Sequence, residues 1–94
     1  MLAAACGAVL VSFALAASAS AADRGFCRDY ARAAANQVRD ARSHYRCDWR
    51  VDRNPARWST DWHNHFDWCL GVSREQADLE RDARRDALEH CTRR

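Results

Sequence analysis

The chain contains no lysine; all 15 of its basic residues are arginine. Schiff-base chemistry and a lysine general base are therefore excluded. There is no Cys-x-x-Cys, which argues against a thioredoxin-type redox centre, and without Cys-x-x-Cys-His covalent haem attachment has no support. Basic residues never run free of acids. The 13 Asp and Glu are interleaved with the arginines and leave a formal charge of +2, the pattern of a solvated surface rather than a nucleic-acid-binding stripe. The longest apolar stretch, Leu2 to Ala17, is too short and too alanine-rich for a membrane span. A catalytic nucleophile is also lacking, because Ser59, Thr60 and Ser73 are better explained as helix caps. His65 and Asp61, four residues apart, could form a hydrogen-bonded acid–base pair, but with no nucleophile beside them. No enzymatic activity and no cofactor are expected.

What is present begins with a leader. The first 22 residues carry no charge, although no Lys or Arg precedes the apolar run. They end in Ala17-Ser18-Ala19 and Ser20-Ala21-Ala22, small-x-small patterns that signal peptidase accepts. We expect a secretory signal over residues 1–22, cleaved before Asp23, with Ser20 as the other candidate start and Cys6 as part of the signal. Residues 23–94 then form a single helical domain, periplasmic or secreted, monomeric, and not inserted in the membrane once the signal is removed. A domain this small buries a modest core and usually needs a staple. Its four cysteines, Cys27, Cys47, Cys69 and Cys91, are even in number and reach an oxidising compartment, so disulfides are expected.

Phe26, Tyr30, Ala34, Val38, Ala41 and Tyr45 recur in steps of three or four and trace one helical stripe. They predict a helix over about residues 26–46, with Asp23 as its N-cap. Asp48 to Arg57 is polar, lacks periodicity, and carries the turn signal Asn54-Pro55. Ser59 is placed to cap a short helix over 60–70, with Asp61 in its first turn and Gly71 as its stop. Ser73-Arg74-Glu75-Gln76 reads as a capping box that opens a last helix over 74–91. Leu79, Ala83, Ala87, Leu88 and Cys91 are expected to face inward there. Glu80-Arg84 and Glu89-Arg93, four apart with the acid first, are expected on its exposed face.

Helical reach limits the disulfide pairing. At a ~1.5 Å rise per residue, Cys27 and Cys47 lie about 30 Å apart, far beyond the roughly 7 Å that a disulfide tolerates between Cα atoms. The same argument separates Cys69 from Cys91. Two pairings remain. Cys27–Cys91 with Cys47–Cys69 suits antiparallel helices. Cys27–Cys69 with Cys47–Cys91 needs parallel ones, joined by a segment that runs back along their full length. Short connections favour the first. The expected fold is thus all-α: a disulfide-stapled antiparallel helical hairpin with a short third helix in the connection.

Two readings of function compete. Trp49, Trp58, Trp62, Phe66 and Trp68 lie within 20 residues. Trp58, Trp62 and Phe66 share a stripe and fit a core lid, whereas Trp49 and Trp68 fall off it. Exposed tryptophan beside arginine and histidine is typical of recognition surfaces. Trp49, Arg57, His65 and Trp68 are therefore the candidate binding residues of an interaction module, its partner a protein or a cell-envelope glycan. The alternative is a small metal-binding protein. Cys47, His65 and Cys69, with His63 in support, would supply sulfur and imidazole of the kind zinc accepts. The paired-ligand spacings of zinc modules are absent, however, and His63 and His65 point to different helix faces.

The chain also resembles a group of small, exported, uncharacterised bacterial four-cysteine helical proteins. The resemblance rests on Phe26-Cys27-x-x-Tyr30-Ala31, Cys47, Arg57-Trp58, His65-x-x-Trp68-Cys69 and Glu80-x3-Arg84-x3-Leu88-x2-Cys91. It implies export and disulfides and carries no catalytic residues. Such proteins place a glycine in the turn after the second cysteine, where this chain has Asn54-Pro55.

Overall fold

The structure, a computed structural model, describes residues 21–93. Residues 1–20 of the expected signal lie outside the described residues. Its last two, Ala21 and Ala22, are described; Ala22 is buried in the core, where the alternative start at Ser20 would retain it. The chain is all-α: α1 (Arg24–Ser43), a 3-10 turn (Tyr45–Cys47), α2 (Asp48–Arg53), α3 (Trp62–Leu70) and α4 (Arg74–Thr92). Among the described residues none of these helices is long and apolar enough to cross a membrane.

The caps explain the boundaries. Asp23 Oδ1 accepts the Phe26 N–H at 2.7 Å and starts α1. Its other oxygen takes the Arg74 guanidinium at the head of α4. The Phe26 N–H foremost, with Arg74 behind it, holds the Asp23 carboxyl below its usual 3.8. Ser73 and Gln76 form the expected capping box. The cap of α3 is Asp61, whose Oδ1 accepts the His63 N–H at 2.9 Å, so this helix begins two residues later than Ser59 suggested. Ser59 instead receives the Asp61 N–H at 3.1 Å on its hydroxyl. Gly71 closes α3 as predicted. The segment after Cys47, expected to be irregular, makes one short helix, α2, before the Asn54-Pro55 turn.

The disulfides correct the expected arrangement. Cys27 is bonded to Cys69 and Cys47 to Cys91, the parallel alternative. Contacts between α1 and α4 follow the same sense. The Ala22 N–H donates to Val72 O at one end, Gln37 Nε2 donates to Arg81 O in the middle, and Arg46 Nη1 donates to Arg93 O at the other end. The connection does run back along the whole length. Trp58 packs with Val38, Ala41, Cys47 and Cys91, whereas Phe66 and Cys69 pack with Cys27, Tyr30 and Ala31. The preference for antiparallel neighbours survives, but it operates between α1 and the returning segment that carries α3. The returning segment thus packs along α1 rather than capping a hairpin, and it leaves α1 and α4 parallel. Both disulfides hold helices, as expected of a chain too small to rely on its core, and such bonds persist in oxidising compartments.

Two apolar clusters result, one around each disulfide. Ala31 and Ala34 are fully buried, and their small side chains let the neighbouring helices approach α1 closely. Along α4 the inward line is Ala77, Arg84 and Cys91, spaced seven residues apart. Leu79, two residues from Ala77, turns to the opposite side and is 68% exposed, against expectation. Tyr45 is 77% exposed, because α1 ends at Ser43 and the 3-10 turn rotates it out of the stripe. Arg84, expected on the surface with Glu80, is instead buried midway between the two clusters.

Candidate functional site

That buried arginine forms the floor of an open cleft of about 370 Å³ between α1, the Asn54–Arg57 turn, α3 and α4. Each wall is positioned locally. Asn54 Oδ1 accepts the Arg57 N–H at 3.3 Å and tightens the turn that presents the Arg57 side chain. Arg57 then reaches α4, donating from Nε to Glu80 Oε1 at 2.6 Å and from Nη2 to Glu80 Oε2 at 3.3 Å. This two-pronged pair ties the returning connection to the last helix. On α3, Asn64 Nδ2 donates to Ser59 Oγ at 2.9 Å, and His65 Nε2 lies 2.7 Å from Ser59 O. A carbonyl oxygen only accepts, so Nε2 carries the proton and neutral His65 keeps Nδ1 as an acceptor.

Arg84 is 1% exposed. Its Nε donates to Gln37 Oε1 at 2.7 Å and its Nη2 to Tyr30 Oη at 2.8 Å. Nη1 stands 3.9 Å from Glu80 Oε1, beyond hydrogen-bond length. The Trp68 ring leans on Tyr30, with centroids 5.6 Å apart, and remains 42% exposed. Burial pushes the Tyr30 hydroxyl above its usual 10.0, against the opposing pull of Arg84. Burial likewise holds His65 below the usual 6.5, with the Arg84 charge adding to the effect and the Ser59 carbonyl opposing it.

Three of the four residues expected to form a binding surface, Arg57, His65 and Trp68, meet at this cleft. Trp49 stands apart on α2. It is 51% exposed as expected, with the guanidinium of Arg50 at 4.4 Å and that of Arg53 at 5.4 Å over its ring. Tyr30, Glu80 and Arg84 were missed as site residues. The signal for Arg84 lay in its distance from Cys91. A cysteine committed to an interior disulfide carries the residue seven before it, two helical turns back, to the same face. The alternative metal set is not assembled. Cys47 and Cys69 belong to different disulfides, and no group of three potential metal ligands occurs among the described residues. Asp61 does not pair with His65; its carboxylate caps α3 and lies 3.4 Å from His63 Nδ1. No protein-family model, curated protein or solved structure matches the chain. Geometry alone carries the functional reading.

The depressed His65 value makes stability depend on pH in a definite sense. Well above 6.5 the ring is neutral in both folded and unfolded chains, and its contribution to stability is complete. As pH falls from there, the unfolded chain takes up the proton first and stability declines, until the folded value is passed and the decline from this residue ends. Urea midpoints at about pH 7.5 and about pH 5.0 should therefore differ in the wild type. They should differ less in His65→Gln, which keeps a donor for Ser59 O. An unchanged difference in that variant would remove His65 as the cause.

Proposed function

We propose that this chain is an exported binding module of the bacterial cell envelope, periplasmic or secreted, monomeric and without catalytic activity, and that the cleft floored by Arg84 is its recognition site. A protein or an envelope glycan would be its partner. One observation carries the reading: an almost fully buried guanidinium opens into a concave site beside a half-exposed tryptophan. A chain this small bears the desolvation of such a group only where it is well paired, and Arg84 Nη1 makes no hydrogen bond among the described residues, standing 3.9 Å from Glu80 Oε1. Ser59, whose carbonyl meets His65 Nε2, already receives two donors on its hydroxyl, so recognition fits the site better than catalysis does.

A photo-crosslinking residue at Asn64, on the cleft rim, tests this in the native compartment. It should capture a discrete envelope component that the same residue at Arg39, exposed on α1, does not. Equal capture at both positions, or none at Asn64, would remove the cleft as the recognition site.

A further inference from the structure

We infer that the ligand of this cleft is a monocarboxylate bearing an aromatic or similarly flat group, its carboxylate held at Arg84 and Arg57 and its flat face on Trp68. The inference rests on reading the cleft as a recognition site and adds what that site selects.

Charge is the first argument. Two guanidiniums enter the cleft, and one carboxylate answers them. Both oxygens of Glu80 are engaged by Arg57, at 2.6 and 3.3 Å. Arg84 satisfies Nε and Nη2 with neutral acceptors, Gln37 and Tyr30, while Nη1 makes no hydrogen bond among the described residues and stands 3.9 Å from Glu80 Oε1. His65 and Tyr30, the other titratable side chains that line the cleft, are both uncharged near neutral pH. The site is therefore short of one negative charge, in surroundings where an unanswered charge is costly. A carboxylate supplies that charge and suits the planar fork of a guanidinium. A phosphate dianion would bring one charge too many.

The remaining walls define what the carboxylate is attached to. Trp68 presents a half-exposed ring already braced by Tyr30. Asn64 spends its amide N–H on Ser59 and keeps its oxygen available for an N–H donor. A volume of about 370 Å³ lies at the small end of ligand sites and suits one aromatic acid rather than an extended chain. The same chemistry occurs in a free aromatic acid and in the C-terminal residue of a peptide, and the two are separable by experiment.

Nuclear magnetic resonance of the 15N-labelled, disulfide-bonded protein, following the Trp68 indole, provides the test. Probes are phenylpropanoate, N-acetyl-phenylalanine, its neutral twin N-acetyl-phenylalaninamide, and inorganic phosphate. The acids should bind saturably, and the neutral amide about tenfold or more weaker, the usual worth of one charge-assisted contact. Glu80→Gln removes the resident anion and should tighten the acids several-fold. Arg57→Gln releases Glu80 to Arg84 and should abolish their binding. Opposite responses from two residues of one ion pair would not arise from loss of structure, and circular dichroism confirms that both variants are folded. Tighter binding of N-acetyl-phenylalanine than of phenylpropanoate assigns a peptide C-terminus; the reverse assigns a free acid.

Equal binding of acid and amide overturns the carboxylate inference but leaves the recognition site standing. Tighter binding of phosphate than of either acid, or an indole that responds to no probe, also overturns the inference. The crosslinking at Asn64 then judges the site independently.

Discussion

Reduction of the two disulfides is expected to abolish the helical circular dichroism of this domain at room temperature, and oxidation to restore it. The sequence separations across the bonds are 42 and 44 residues. In the loop-entropy model, closing a loop of that size contributes about 4 kcal/mol. The two loops overlap extensively, so together they contribute less than twice that amount. Set against it is a small domain whose net stability, at roughly 0.05–0.15 kcal/mol per residue, comes to about 4–11 kcal/mol. The apolar interior is not positioned to compensate. It is split into two clusters, and the layer between them is polar. A urea titration with and without reductant reads the effect. Retention of a cooperative transition in the reduced protein would show that the core suffices alone. A non-reducing peptide map should recover Cys27 with Cys69 and Cys47 with Cys91. Recovery of Cys27 with Cys91 would restore the antiparallel arrangement and dismantle the cleft, since Trp68 and Arg84 would no longer face each other.

The second large effect is expected from a single residue. Arg84→Ala should destabilise the domain by about 3–5 kcal/mol, because each of its two hydrogen bonds involves a charged group and contributes roughly 1.5–3 kcal/mol. Truncation also leaves Tyr30 Oη and the Gln37 amide without their partner and opens a void where the arginine stem packed. Arg85→Ala, one residue on, is the control. Arg85 is exposed, pairs with Asp82 three residues before it, and should cost no more than about 0.5 kcal/mol. Arg84→Met retains much of the volume and should fall between the two, which separates the packing contribution from the polar one. Equal midpoints for Arg84→Ala and Arg85→Ala would mean that the buried guanidinium contributes nothing to folding.

How legible these features were in the sequence depended on how local their causes are. Asp23, Ser73 with Gln76, and Gly71 act within one turn of the chain, and the helix ends they set were readable directly. The stripe Tyr30, Ala34, Val38 and Ala41 is buried, because helical periodicity reports a face whatever packs against it. Tyr45 left the stripe only because the helix stopped two residues short of it. Leu79 and Arg84 misled for another reason. Hydrophobicity favoured the leucine as the inward residue, yet the partner surface on α1 presented Tyr30 Oη and Gln37, groups that call for a donor rather than a methyl.

Apolar periodicity and the capping residues by themselves determined that the domain is all-α, and the four cysteines with the ~1.5 Å helical rise then limited its two disulfides to two pairings. Tertiary structure alone decided between the pairings, because the choice depended on whether the Trp58–Leu70 segment caps the other helices or runs their full length between both disulfides. Tertiary structure alone also assembled the cleft. Tyr30, Arg57, Trp68 and Arg84 come from four separate stretches of chain, and no local rule relates residues whose contact exists only once the parallel bundle has closed.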